Sequence, residues 1–177
     1  MPARHRVHET AFPHFITSTV LHWIPAFCRE DYFRIVTDSL CFCAQNKGLL
    51  IHGYVIMPNH LHALVTHPEG RLPDVLRDFK RFTSVRLAEQ LARDGREVWL
   101  RAFRNAAGAG AAIKLWDEGY HPEQVHSEPF FGQKMRYMHD NPVRAGYVED
   151  AVHWKHSSAG PWHLEREGPV PLTGLEW

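Results

Sequence analysis

The alternation of apolar and polar positions predicts three strands in the first part of the chain. Residues 14–21 (HFITSTVL) mix aromatic and β-branched side chains, which favour a strand. Residues 49–57 (LLIHGYVIM) are almost continuously apolar, and residues 60–66 (HLHALVT) follow after Pro58 and Asn59. Because proline and asparagine favour tight turns, the last two runs predict a β-hairpin.

Apolar residues at helical spacing predict three helices. One covers residues 30–47 and a second covers 72–91, each with an apolar stripe along one side. A third is predicted over about 128–140. We expect Asn141 and Pro142 to end it, because the residue before a proline is pushed out of helical geometry.

The remaining segments carry weaker patterns. Residues 104–113 (RNAAGAGAAI) are small and of low complexity, which indicates a flexible connection or a frayed helix. Residues 114–121 are predicted to hold a short fourth strand. We expect residues 1–160 to form a single domain, and residues 161–177, which contain three prolines, to form a surface loop.

The predicted order is strand, helix, strand, strand, helix, strand, followed by an extra helix. A βαββαβ order is typical of the α+β ferredoxin-like fold, an antiparallel sheet with two helices on one face. The other face would then be free for chemistry or for the added C-terminal helix.

Composition limits the classes of protein that fit this pattern. The 177 residues are 44% hydrophobic and 23% charged, which is typical of a globular domain. The formal net charge is zero with histidines neutral, which argues against a polybasic nucleic-acid binder, although local patches can still bind. No apolar run approaches the roughly 20 residues that span a bilayer, so we expect a cytoplasmic protein without a membrane partner.

Three cysteines are odd in number and clustered. Cys41 and Cys43 are two residues apart in a helical pattern, which is poor disulfide geometry, and no second pair completes a zinc site with Cys28. We interpret them as reduced packing residues.

Two histidines on the third strand are the first candidates for chemistry. Alternation along a strand puts His60 and His62 on one face and the apolar residues between and after them on the other, beneath the two helices. Such neighbours can hold one divalent ion. Chance pairing on a half-exposed strand is the alternative, since the chain has fourteen histidines. Two ligands are also too few, so a metal site requires a third.

Tyr137 and Asn141 are four residues apart on the last predicted helix and therefore share a face. The Asn141 carbonyl oxygen could complete a metal site, and the Tyr137 phenol could act as a nucleophile towards whatever the metal polarises. Alternatively, Tyr137 is an ordinary packing residue and Asn141 caps the helix.

Taken together, these stretches resemble a known family. "MPNHLHALV" is similar to the His-hydrophobic-His motif of the HUH single-tyrosine transposases. "RYMHDNPVRAGYV", followed by "HWKHSSA", resembles the tyrosine-bearing region of their REP-associated branch, and "LWDEGYHPEQVHSEPFFGQK" fits the segment before it. The resemblance covers roughly residues 12–160. It departs from the family at 104–113, which matches no motif, and at Met138, where isoleucine is commoner.

The resemblance implies a DNA transposase, or single-strand endonuclease, with a divalent Mg²⁺ or Mn²⁺ ion. His60 and His62 match the family's metal ligands, Asn141 its third ligand and Tyr137 its nucleophile. Attack by the phenol on phosphorus would form a 5′-phosphotyrosine link and release a 3′-hydroxyl, and a later 3′-hydroxyl would rejoin the strand. The expected substrates are single-stranded DNA hairpins formed by palindromic repeats, and both a monomer and a homodimer stay open.

Cations and aromatic side chains near these motifs are candidates for DNA binding. The predicted phosphate-binding cations are Arg77, Lys80, Arg81, Arg86, Lys134, Arg136 and Arg144. The candidate base-stacking residues are Trp116, Tyr120 and Phe130. The alternative is that the helix charges are merely solvated and the aromatic residues belong to the core.

Three other functions stay open on the sequence alone. A nonenzymatic hairpin-binding protein derived from a transposase would keep the fold without needing the histidines and the tyrosine. A metal-dependent phosphodiesterase would use water as the nucleophile and leave free 5′-phosphates. A structural metal site in an interaction module would stabilise the fold and cut no DNA.

Overall fold

The computed structural model describes residues 12–108, 111–118 and 122–175. Four strands form one antiparallel sheet in the order β2-β3-β1-β4. They are β1 (His14–Thr19), β2 (Leu50–Met57), β3 (His60–Thr66) and β4 (Glu123–Gln124). This order, with helices between β1 and β2 and after β3, confirms the predicted ferredoxin-like α+β fold.

Six α-helices accompany the sheet in the described part of the chain. They are α1 (Glu30–Asn46), α2 (Leu72–Arg93), α3 (Glu97–Asn105), α4 (Glu128–His139), α5 (Asn141–Arg144) and α6 (Ala159–Leu164). Two 3₁₀ turns cover Leu21–Trp23 and Ala151–His153.

The main core lies between one face of the sheet and the helices α1 and α2. Leu61, Ala63 and Val65 of β3 are fully buried in it, as alternation along the strand predicts. The apolar stripes of the two helices pack against them. Their buried members include Val36 and Leu40 of α1 and Val75, Leu76, Phe79 and Leu87 of α2.

A second, smaller core holds α4 against the other face of the sheet. Phe131, Met135 and Met138 of α4 pack there with apolar residues of β1, β2 and β3. Gly53 of β2 allows the close approach, because a Cβ at this position would lie 2.6 Å from Sδ of Met135 and 2.8 Å from Cε of Met138. The added helix therefore occupies the face opposite α1 and α2.

Two elements differ from the sequence prediction. Helix α3 was not predicted, because it has only two buried anchors, Leu100 and Phe103, and runs into the small-residue stretch that suggested a connection. The fourth strand lies at Glu123–Gln124 rather than within 114–121. In the earlier segment Trp116 makes an isolated bridge with Val20, and residues 119–121 lie outside the described residues.

The helix predicted over about 128–140 ends at His139, next to Asn141 and Pro142 as expected, but a further short helix that was not predicted follows at once. Asp140 follows α4, and Pro142 then occupies the first turn of α5. Proline is tolerated there because an N–H group in the first turn has no helical partner to lose. The chain therefore makes one further helical turn immediately after the tyrosine-bearing helix.

The C-terminal segment is more ordered than the predicted surface loop. Helix α6 runs across the predicted boundary at residue 160, and Val170 is buried. The Thr173 backbone N–H donates to the Ile51 carbonyl oxygen at 2.8 Å, and the Thr173 carbonyl oxygen lies 2.8 Å from His52 Nδ1. The division into a domain and a tail stays a prediction.

The three cysteines are free thiols, and burial raises the pKa of the Cys43 thiol to about 11. None of the helices in the described ranges is long and apolar enough to cross a membrane.

Candidate active site

His60 and His62 lie side by side where β3 leaves the hairpin turn. Their ring centroids are 4.7 Å apart, and both side chains project from the face that carries α4. His62 is buried and stacks on Phe15 of β1 with a centroid distance of 5.2 Å, whereas His60 is half-buried at the start of the strand. The predicted pair therefore exists as one packed unit.

Hydrogen bonds fix the orientation of both rings. His60 Nδ1 lies 2.7 Å from Asn59 Oδ1, and because an amide oxygen only accepts, this nitrogen carries the proton. His62 Nδ1 lies 2.8 Å from the Thr17 hydroxyl, which can accept in the same way. A proton on Nδ1 leaves Nε2 with its lone pair, as a metal ligand requires.

Burial keeps the two imidazoles uncharged. Loss of solvent, and to a smaller extent the neighbouring His60, lower the pKa of His62 to about 3. Burial also lowers the pKa of His60, opposed by a hydrogen bond with the Asn141 side chain. Because only neutral imidazole binds a metal, both rings are in the ligating state at neutral pH.

Asn141 joins the histidines from the end of the tyrosine-bearing helix. Its Nδ2 donates to the Tyr137 carbonyl oxygen at 3.0 Å, which fixes the amide. The same side chain also makes a hydrogen bond with His60. The third predicted ligand therefore lies beside the first.

Tyr137 lies on the same side of the sheet. Its ring centroid is 5.7 Å from that of His62 and 6.0 Å from that of Phe15. The side chain is 43% exposed, so a large substrate can reach it. Arg144 covers the ring, with Cζ 4.5 Å from the centroid, and its Nη2 donates to the Tyr137 carbonyl oxygen at 3.1 Å.

Three predicted DNA-binding cations lie on α4 and α5, near or next to this group. Lys134 Nζ is 4.9 Å from the Phe15 ring centroid and pairs with Glu123 at 2.5 Å. The charges of Lys134 and Arg144 both lower the pKa of His62, which reflects their proximity. Arg136 is exposed on α4. Arg144 and Lys134 therefore bring positive charge close to His62, with the charge of Lys134 balanced by Glu123.

The other four predicted cations are on α2, which covers the opposite face of the sheet. Arg77 pairs with Asp74 at 2.8 Å, and Arg86 pairs with Glu89 at 2.7 Å. Arg81 is exposed and lies 3.6 Å from Asp78. Lys80 is half-buried, and burial lowers its pKa. The structure does not bring these four to the histidines.

The candidate stacking residues also lie in different environments. Trp116 is buried, and its indole N–H donates to the Thr83 hydroxyl at 2.8 Å, so it is a core residue. Phe130 is half-buried beneath Lys134, whose Nζ lies 5.1 Å from its ring centroid. Tyr120 lies outside the described residues.

Three residues that support the histidines were missed at the level of sequence. Phe15 and Thr17 come from β1, where Thr17 pairs directly with His62, and Asn59 comes from the hairpin turn. Because the predicted fold puts β1 beside β3, the sequence could have indicated that the odd-numbered side chains of β1 lie next to the two histidines. The register that selects Thr17 cannot be read from the sequence, because it depends on how the strands pair.

The two imidazoles and the amide oxygen are chemically suited to a divalent cation but do not complete its coordination. The described residues contain no group of three or more His, Cys, Asp or Glu side chains that could hold an ion by themselves. Two neutral imidazoles and an amide oxygen suit Mn²⁺ better than Mg²⁺, which prefers oxygen ligands.

Comparison with known proteins gives a match in structure only. No family model and no curated protein matches the sequence. A solved REP-associated tyrosine transposase, bound to a REP hairpin, matches over 93% of this chain and 87% of that chain, with 14% identity and a TM-score of 0.62. The chain has the fold of that transposase.

A second solved protein, from Deinococcus radiodurans R1 and provisionally described as a transposase, is 19% identical. It matches over 73% of this chain and 90% of its own, and its TM-score of 0.46 is too low to support a shared fold.

Proposed function

We propose that this chain is a single-tyrosine transposase of the REP-associated branch, which cuts and rejoins hairpin-forming single-stranded DNA. The observation that carries the proposal is the group formed by His60, His62, Asn141 and the exposed phenol of Tyr137. These residues come from positions about seventy-five apart in the chain. The shared fold with a transposase that binds a REP hairpin supports the same function.

His60 and His62, through Nε2, and Asn141, through its amide oxygen, would hold a divalent ion, either Mg²⁺ or Mn²⁺. When bound, the ion would supply positive charge to the scissile phosphate and orient it. The rings are ready for this because burial keeps them neutral, and Asn59 and Thr17 hold the opposite nitrogen of each ring.

Tyr137 would attack phosphorus with its phenolic oxygen. The new bond joins that oxygen to the 5′-phosphate, the bond to the 3′-oxygen breaks, and the 3′-oxygen leaves as a hydroxyl with a proton from solvent while the phenol loses its own. The phosphodiester energy is kept in the link, so a later 3′-hydroxyl can attack the phosphotyrosine and restore the tyrosine. Water must be kept from the link meanwhile.

Arg144 would position the nucleophile and the strand together. It covers the ring of Tyr137 and binds its carbonyl oxygen, and its remaining N–H groups can donate to phosphate oxygens. Lys134 and Arg136 extend this charge along α4. The cations of α2 lie on the other face of the sheet and are not part of this arrangement. The DNA contacts predicted for them stay a prediction.

The test is incubation of the chain with a labelled DNA hairpin that carries single-stranded flanks, with Mn²⁺ or Mg²⁺. A denaturing gel is expected to show a covalent protein-DNA band that disappears with a chelator. Tyr137→Phe is expected to lose the band, whereas Tyr147→Phe, at a tyrosine whose ring packs on Trp154, keeps it.

Other products would contradict the proposal. Free 5′-phosphate ends without a covalent band would indicate a phosphodiesterase that uses water. Tight hairpin binding with no cleavage in either metal would indicate a nonenzymatic binding protein. Unchanged cleavage by Tyr137→Phe would exclude this tyrosine as the nucleophile.

A further inference from the structure

Trp23 is an exposed aromatic residue next to the candidate metal ligands. It lies in the 3₁₀ turn that follows β1, and its ring centroid is 6.1 Å from that of His60, at an interplanar angle of 65°. The side chain is 63% exposed, more than any other large aromatic side chain in the described ranges. Burial of apolar surface therefore does not account for its position.

The backbone at this turn is strained. His22 and Trp23 have φ values of 56° and 57°, in the left-handed region that non-glycine residues avoid. Only one other non-glycine residue in the described ranges, Glu165, has a positive φ. Strain of this kind persists only where the surrounding structure holds it, and it is concentrated at functional sites.

Hydrogen bonds attach the strained turn to the hairpin that carries His60. The Val20 N–H donates to the Asn59 carbonyl oxygen at 2.8 Å, and the Phe27 N–H donates to the Pro58 carbonyl oxygen at 2.9 Å. The chain on both sides of Trp23 is thus bound to the turn that precedes His60. The fold therefore holds the backbone of this turn at the rim of the site, with the Trp23 ring exposed.

We propose that Trp23 is a stacking platform for an unpaired base beside the scissile phosphate. The inference rests on the proposed function, because it requires a DNA strand whose phosphate lies at His60. Such a strand carries its next base within reach of a ring that touches His60. Indole rings stack on every base, so this contact would select single-stranded over paired DNA without reading its sequence.

The alternative role is purely structural, in which Trp23 only holds the ring of His60. The two roles differ when no metal is present. If Trp23 stacks on a base, it contributes to DNA binding even when a chelator removes the metal. If it acts only through His60 and its ion, it does not.

The experiment measures hairpin binding in a chelator, where no strand is cut. Two DNAs are compared, a hairpin with a single-stranded flank and the same hairpin with a blunt end. Trp23→Ala is expected to weaken binding of the flanked hairpin roughly fivefold to a hundredfold, the range for one base-stacking contact. Binding of the blunt hairpin is expected to stay unchanged, and Trp23→Phe is expected to keep most of the affinity.

Phe82→Ala is the matched control, since Phe82 is 56% exposed on the helix that covers the other face. It is expected to bind both DNAs like the unaltered chain. Equal binding of the flanked hairpin by Trp23→Ala and the unaltered chain would overturn the proposal. An equal loss for both hairpins would also overturn it, because the residue would then support the fold or the duplex contacts.

Failure of the proposed function is detected separately. It would appear as the absence of a covalent band when the unaltered chain is incubated with metal, independently of the binding results for Trp23→Ala. If the unaltered chain forms a covalent band and Trp23→Ala binds the flanked hairpin equally well, only the stacking role of Trp23 is rejected.

Discussion

Two buried histidines that are not among the proposed metal ligands make the stability of the folded chain depend on pH. His139 is buried, and loss of solvent lowers its pKa to about 3, while its Nε2 lies 2.8 Å from the Ser158 hydroxyl. His156 stacks on Phe33 with a centroid distance of 3.6 Å, and burial lowers its pKa to about 4 despite the opposing charge of Glu30. Both are therefore neutral in the folded chain and protonate readily only when it unfolds.

We expect the free energy of unfolding to fall as the pH is lowered below 6.5, the ordinary histidine value. Between that value and about 4, the unfolded chain binds protons at these two positions and the folded chain does not. The stabilisation is complete above 6.5 and is lost as the pH falls through that range, by up to about 1.4 kcal/mol per pH unit for each group. Urea unfolding near pH 7 and near pH 5 measures the difference.

His139→Gln is the matched variant, since it keeps a polar side chain near Ser158 and removes the titration. The pH dependence is expected to become shallower. Equal or greater stability near pH 5 in the unaltered chain would contradict the assignment of neutral, buried rings.

At the scale of elements, the approach of α4 to β2 decides where the tyrosine lies. Gly53 faces Met135 and Met138, and Tyr137 is on the exposed side of the same helix. Because Gly53 has no side chain, the helix can pack directly on the strand next to the histidine-bearing strand. This small residue in the sheet thus affects the separation between the proposed nucleophile and the proposed metal ligands.

Gly53→Val is expected to move α4 outward and to reduce covalent adduct formation more than hairpin binding. Added volume at this contact should also cost about 1–3 kcal/mol of stability, less if the two flexible methionines adapt. Adduct yield and chemical denaturation measure the two effects. Gly108→Val is the control, because a Cβ there meets nothing within 4 Å, and it should leave both unchanged. Full adduct yield from Gly53→Val would show that the approach of α4 is not limiting.

Long elements with a regular apolar pattern could be predicted from the sequence. The first three strands and the helices α1, α2 and α4 each bury a continuous stripe or face, so local spacing reflects their packing. Strand β4 has only two residues and α3 only two buried anchors, so contacts elsewhere in the fold decide both. Helix α5 was missed because Pro142 was interpreted only as the end of a helix. Proline is also favoured in the first turn of a new helix, which is where Pro142 lies.

The candidate site was predictable to the same extent. Histidines two apart on a strand, and a tyrosine and an asparagine four apart on a helix, are local patterns that a sequence displays. Their supporting residues are not local. Thr17 depends on strand register, and Trp23 depends on a strained turn whose φ values nothing in the surrounding sequence requires.

For the whole molecule, the complete group lies within a single chain. Tyr137 is beside its own His62, and the short α5 returns Arg144 over the tyrosine without a partner subunit. If the proposed function holds, we therefore expect Tyr137 to act together with the histidines of its own chain, whether the protein is a monomer or a homodimer.

A mixture of His62→Ala and Tyr137→Phe chains tests this expectation. Each variant lacks one half of the group, so the mixture should form no adduct above the level of either variant alone. The unaltered chain, diluted with either variant, should keep adduct formation in proportion to its own amount. Recovery of adduct in the mixture would show that the tyrosine serves the histidines of a partner subunit.

The most direct measurement of the central claim is the chemical identity of the covalent adduct. After reaction with a flanked hairpin and Mn²⁺, nuclease and protease digestion should leave a peptide that contains Tyr137 with a nucleotide bound through its 5′-phosphate, identified by mass spectrometry. We expect that mass on Tyr137 and nowhere else. A nucleotide on another residue, or cleaved DNA with every peptide unmodified, would contradict strand transfer by this tyrosine.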